Sequence, residues 1–179
     1  MPKAQARTAE IRLQFVRAPG VSSDVIAWFS HGHFSHVEAC FETEIPGVYE
    51  LPGSYEKAVS VKGVTYPAGV QVRPWGYNPN LIRQVHFVIP CTLKQKALWK
   101  EFLLSQVNQP YDWDAIWGFA FNRDWRDPRA WICSELQAAA LEAAGVVPRL
   151  YLAANKITPV ALALAMSALK GVRTEVLIW

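Results

Sequence analysis

The sequence predicts an α+β fold, an antiparallel sheet packed against helices, and three observations carry that prediction. Residues 11–89 show repeated strand-like alternation broken by Gly and Pro turns. At Thr92 the apolar period lengthens to that of a helix. Downstream segments then carry helix start and stop signals at Thr158-Pro159 and Gly145. With 179 residues, 51% of them hydrophobic, the chain can bury a full core within one domain spanning residues 1–179.

In chain order, residues 11–17 alternate as a half-buried strand, with Arg12, Gln14 and Arg17 between apolar positions. Ser22-Ser23-Asp24 is a capping cluster for a short helix over 25–30, and His31-Gly32-His33 follows it. Residues 37–41 read as a strand, Ile45-Pro46-Gly47 as a turn, and 48–51 as the hairpin partner, which would bring Glu50 near His36. The Gly, Pro, Ser and Tyr content of 52–69 predicts a long loop with a short strand over 59–61, a candidate rim for a site.

Residues 70–73 and 81–89 are further strands. Thr92 caps a helix to about residue 107, with Leu93, Ala97, Leu98, Phe102 and Leu103 on one face. A turn at Pro110-Tyr111-Asp112-Trp113-Asp114 leads to a short helix over 115–121 and a charged loop over 122–129. The helix opened by Cys133 runs to Ala144, the last helix starts at Thr158-Pro159, and 173–179 closes the chain as a strand.

Several function classes are disfavoured. The net charge is +3, but Lys and Arg are scattered from Arg7 to Arg173 without a stripe, so nucleic acid is not an expected partner. The three cysteines, Cys40, Cys91 and Cys133, are odd in number and far apart, which argues against a disulfide framework and for a reducing compartment. The N-terminal stretch is polar, and the longest apolar run, 160–169, is shorter than the roughly 20 residues that span a bilayer. No transmembrane segment and a cytoplasmic location are therefore expected, with lysis or a phage system as routes to any external substrate. His31, His33 and His36 lack a cysteine or carboxylate at zinc-ligand spacing, so neither a metal nor another cofactor is expected.

The residue with the clearest chemical setting is Cys133. A thiol is nucleophilic as thiolate, and the first turn of a helix stabilises that anion through its dipole and unpaired N–H groups. The N–H of Ser134, or of Cys133 itself, is the natural donor to an oxyanion. His36 on the upstream strand is the candidate general base. A carboxylate should orient it, and two compete: Glu50, across the predicted hairpin, and Glu38, which shares the face of His36 and Cys40. The closer approach of cross-strand neighbours favours Glu50. Tyr111, Trp113, Trp117, Phe119, Phe121, Trp125 and Trp131 form an aromatic concentration suited to lining a cleft or to filling a core.

Taken together, Ser35-His36-Val37-Glu38 on a strand, Pro110-Tyr111-Asp112-Trp113 at a turn and Cys133-Ser134-Glu135-Leu136 opening a helix resemble a known family. These are the circularly permuted papain-fold amidases and peptidases of the NlpC superfamily, the YaeF/YiiX-like group. The resemblance covers about residues 11–145, and the order of histidine strand before cysteine helix matches the permuted form. It implies a permuted papain-like fold with Cys133 as nucleophile, His36 as base and Glu50 as the third polar residue. Glu38 stands where many relatives carry glycine and is the alternative orienting group. Tyr111 matches a residue near the cleft. The implied substrate is a peptide or lipid-like amide or ester. A lipid acyltransferase or esterase of the lecithin:retinol type and an inactive binding module of the same fold are the alternatives. The oligomeric state is not encoded in any of these signals.

Overall fold

The computed structural model describes residues 8–29, 32–112, 129–148 and 157–178. The strands in chain order are β1 (Thr8–Arg17), β2 (His36–Glu42), β3 (Tyr49–Tyr55), β4 (Val59–Val61), β5 (Val64–Tyr66), β6 (Gly69–Pro74), β7 (Arg83–Thr92) and β8 (Arg173–Ile178). The helices are α1 (Val21–Phe29), α2 (Leu93–Ser105), α3 (Cys133–Ala143) and α4 (Pro159–Ser167). Six strands form one antiparallel sheet in the order β6-β3-β2-β1-β7-β8, and β4 and β5 form a separate hairpin. The α+β class and the antiparallel sheet are as expected.

The two sides of the sheet centre differ in chemistry, as period-two alternation requires. Leu13 and Phe15 of β1, Val37 and Ala39 of β2, and Val85 and Phe87 of β7 are buried together on one side. They share a core with Trp99 and Leu103 of α2, Leu136 and Leu141 of α3, and Leu162 and Met166 of α4. Each Val, Leu, Phe or Met among them contributes roughly 1.5–3 kcal/mol when removed from water, before conformational entropy is counted. On the other side, the register places Arg12 and Gln14 beside Cys40 and Glu38 of β2, and beside Val88 and His86 of β7. Gln14, Glu38, Gln84 and His86 are nevertheless buried. A buried polar face of this kind is stable only where its groups satisfy one another.

Local signals place the helices. Thr92 accepts from the Gln95 N–H while the Gln95 side chain accepts from the Thr92 N–H, a capping box that starts α2. Thr158 caps α4 with Pro159 in its first turn. α3 ends at Ala143, followed by Gly145 at φ +63°, where a left-handed backbone suits glycine. α1 begins at Val21, so Ser23 and Asp24 lie inside its first turn instead of preceding a helix at 25–30. α2 stops at Ser105, two residues before its predicted end. Among the described residues no helix is long and apolar enough to cross a membrane.

The largest difference from the sequence reading is β3, which runs through Pro52 and Gly53 to Tyr55 where a loop is predicted. Gly53 permits this because a Cβ there would lie 3.1 Å from Cβ of Glu38 and 3.2 Å from the Tyr55 ring. Only Phe41↔Glu50 and Glu42↔Tyr49 register β2 with β3, and Pro52 has no N–H to extend a ladder. β6 continues the sheet beyond β3 and starts one residue before its predicted strand, at Gly69. Gly69 has φ +99° and lets the chain pass close to the Gln109 carbonyl, which accepts from the Val70 N–H at 2.8 Å. That contact sets the position of Pro110 and Tyr111, which then bridge to Trp131 at the entrance to α3. The helix predicted over 115–121 and nearly all of the charged loop lie outside the described residues, as does His31.

Candidate active site

Two elements build the site. α3 starts at Cys133 after Ile132, an N-cap residue with no capping side chain, so the first-turn N–H groups are not taken by a cap. β2 starts at His36, at the end of the sheet where α3 begins. Cys133 and His36 are thereby in hydrogen-bonding and charge contact, and the backbone N–H groups of Val37 and Ser134 also donate to the sulfur. Cys133 is 4% exposed. Burial alone would raise its pKa, but the imidazolium and those N–H groups outweigh it and hold the thiol below its usual value. Burial likewise opposes charge on His36, yet the Cys133 thiolate, followed by Glu38, raises the imidazole to about 10. The two shifts describe one thiolate–imidazolium pair.

Glu38 lies behind the histidine and is fully buried. His36 Nε2 faces Glu38 Oε2 at 3.5 Å, longer than a well-formed N–H···O bond, so the contact is an ion pair that leaves Nδ1 for the thiol. Three neutral side chains surround the carboxylate: Gln14 Nε2 donates at 2.7 Å, Tyr77 Oη lies at 3.3 Å, and Tyr55 Oη lies at 2.8 Å with its single proton shared between Glu38 and the Leu51 carbonyl. Hydrogen-bonding neighbours and the facing imidazolium together are what a buried anion needs. Tyr55 also packs its ring against His36 at 5.3 Å between centroids, and the Arg73 guanidinium lies 3.8 Å over the Tyr55 ring.

Glu50 does not take part. It pairs with Phe41, five residues along β2 from His36 and on the opposite face, and it is exposed. The turn lies where the sequence places it, and the register it sets, Phe41↔Glu50 and Glu42↔Tyr49, already carries Glu50 away from His36, so the strand position beside His36 belongs to Tyr55. The expected preference for Glu50 over Glu38 is corrected accordingly: Glu38, on the same strand as the histidine, is the carboxylate that meets it.

Ser134 is buried, and its hydroxyl donates to the Ile157 carbonyl, which ties α3 to the chain before α4; its backbone N–H is the part turned to the sulfur. Tyr111 is close enough to Cys133 that the thiolate, after burial, holds the phenol well above its usual pKa. Tyr111 lines a pocket of about 320 Å³ together with His36, Tyr55 and Tyr77, and residues 56–59 form part of its wall, in the segment predicted as a rim. Trp131 is a structural residue, donating from Nε1 to Gln106 and packing edge-on against Phe102. Trp113, Trp117, Phe119, Phe121 and Trp125 lie outside the described residues. His33 is exposed beside a separate groove. Among the described residues no group of three His, Cys, Asp or Glu could hold a metal ion.

Sequence reasoning missed Gln14, Tyr55 and Tyr77. The signal for Gln14 was present, since a glutamine in the middle of an alternating strand beside the histidine strand is an expected partner for a buried carboxylate. Tyr55 and Tyr77 had no local signal. Compared with known proteins, the chain matches no family model, and no curated protein matches it.

Proposed function

We propose that the protein is a cysteine hydrolase acting on an amide or ester through Cys133, His36 and Glu38, with a permuted papain-like arrangement. The observation that carries this reading is the line of thiol, imidazole and buried carboxylate, in which the thiol and the imidazole hold each other in their charged forms and Glu38 backs the imidazole. The order of histidine strand before cysteine helix supports the permuted form.

In this mechanism the Cys133 thiolate attacks the substrate carbonyl carbon, and the oxygen takes up negative charge near the first-turn N–H groups of α3. The carbon–nitrogen or carbon–oxygen bond then breaks as the His36 imidazolium gives its proton to the leaving group. A thioester remains. Neutral His36 next takes a proton from water, whose oxygen attacks the thioester and breaks its carbon–sulfur bond, releasing the carboxylic acid and restoring the thiolate–imidazolium pair. Glu38 keeps the ring turned to the sulfur and offsets its charge throughout.

Lipid esters are the second reading. It is favoured by a mainly apolar groove of about 680 Å³ between α1 and α4, edged by the exposed side chains of Trp28 and Leu164. The test is intact-mass detection of an acyl adduct on Cys133 after exposure to a mixed panel of peptide amides and lipid esters. An adduct absent from Cys133→Ala supports the hydrolase and identifies the substrate class. An adduct on another residue, or none with any panel member, sinks it.

A further inference from the structure

Behind Glu38 a single row of side chains crosses the sheet. The register sets Glu38 of β2 opposite Gln14 of β1, Gln14 opposite His86 of β7, and His86 opposite Glu175 of β8. Their hydrogen bonds run in one direction. Gln14 gives Nε2–H to Glu38, so its Oε1 faces the other way and receives Gln84 Nε2 at 2.6 Å and His86 Nε2 at 3.0 Å. Arg12 Nη1 lies 3.1 Å from His86 Nδ1 and is held by Glu175, which both guanidinium nitrogens contact.

The ends of this row leave no choice of polarity. A carboxylate only accepts and a guanidinium only donates, so Gln14 must turn its amide N–H₂ to Glu38, and His86 must carry its proton on Nε2 with Nδ1 as acceptor. We infer that Gln14 and His86 are positioning residues, a polar relay anchored at the Arg12–Glu175 ion pair that holds Glu38 in place against His36. The relay rests on the hydrolase reading for its purpose, but not for its hydrogen-bond directions. Supporting it, burial and then the Arg12 charge push the His86 pKa down to about 4, which keeps the imidazole neutral near pH 7.

The other groups around the row are consistent with that neutrality. Tyr49 of β3 and Trp75, just after β6, pack edge-on against His86 at 5.8 and 5.9 Å. Cys40 of β2 faces Arg12 and Glu38 with its thiol pKa raised, first by burial and then by Glu38. Around Glu38 stand Tyr55, Tyr77 and His36, with Arg73 over both tyrosine rings. No second anion borders Glu38 among these groups, so its orientation depends on donors, and Gln14 makes the shortest of those contacts.

The experiment uses the full chain and measures iodoacetamide alkylation of Cys133 by peptide mass spectrometry from about pH 5 to pH 9, where thiolate fraction sets the rate. Gln14→Leu and His86→Leu should each move the midpoint up by about one unit, which slows alkylation about tenfold on the acid limb. His86→Gln should keep the wild-type midpoint, because its amide N–H₂ can donate to Gln14 while its oxygen accepts from Arg12. Unchanged midpoints in both leucine variants, or an equal shift in His86→Gln, would overturn the relay. Nitrogen NMR of the wild-type protein decides it independently of variant folding. Near pH 7 His86 should be the neutral Nε2–H tautomer, and an Nδ1–H or doubly protonated ring would refute it. If wild-type Cys133 reacts no faster than Cys40 and Cys91, the hydrolase reading fails, and the His86 tautomer alone then judges the relay.

Discussion

His36 and His86 sit on the same face of one sheet, two strands apart, yet their environments drive them to opposite charge states. His36 is raised to about 10 and His86 is lowered to about 4, with burial penalising charge at both. The difference lies in what each ring faces. His36 has a thiol and a carboxylate, which both gain from its proton, while His86 has a guanidinium against one nitrogen. Burial at a histidine is therefore no guide to its role. The sign of the nearest charge decides whether the ring is one half of an ion pair or a neutral link in a hydrogen-bond chain.

The comparison breaks most readily on acid stability, where the largest effect is expected. Because the folded pKa of His86 is below that of an unfolded histidine, its contribution is complete above about pH 6.5 and is lost as pH falls toward 4, at a cost on the order of 3 kcal/mol. His36 has the opposite sign: its contribution is complete below about pH 6.5 and is lost as pH rises through about 10. Urea denaturation at pH 7 and near pH 4.5 should show a drop that His86→Gln reduces. An unaltered drop in that variant would show that other groups carry the acid sensitivity.

Thiol reactivity tests the other ring. His36→Ala should slow iodoacetamide alkylation of Cys133 by about 100-fold near pH 6, as the thiol returns toward its usual pKa. Equal rates for Cys40, Cys91 and Cys133 in the folded wild-type protein would contradict the ion pair. The smallest effect separates the two glutamates. Glu38→Gln should cost about tenfold in the same assay, since it removes the charge facing His36 Nε2. Glu50→Gln should change the rate less than about twofold, as expected of an exposed residue outside the site. If Glu50→Gln had the larger effect, the placement of the orienting carboxylate would be wrong.

Features set by neighbours within a few residues were legible from the sequence. The Thr92 cap, the Thr158-Pro159 start, the Gly145 stop and the position of Cys133 at a helix mouth all depend on hydrogen bonds or dihedral angles inside one turn. The pairing of Cys133 with His36 was also readable, from a motif order and not from periodicity. The length of β3 was not legible, because Pro52 and Gly53 argue locally for a loop. Pairing with β6, through Pro52↔Val72 and Gly53↔Gln71, makes a strand there, and the crowding of Glu38 and Tyr55 explains why residue 53 is glycine.

By itself the sequence determined the α+β class, the bounds of α2 and α3 and the start of α4 to within two residues, and the thiol and imidazole that meet. Tertiary structure decided which carboxylate joins them and what holds it. Gln14 lies 24 residues from Glu38, His86 lies 72 from Gln14, and Glu175 lies 163 from Arg12. The physical reason is that strand order and register bring these groups into one row, and a register shift of one residue would turn each side chain to the other face.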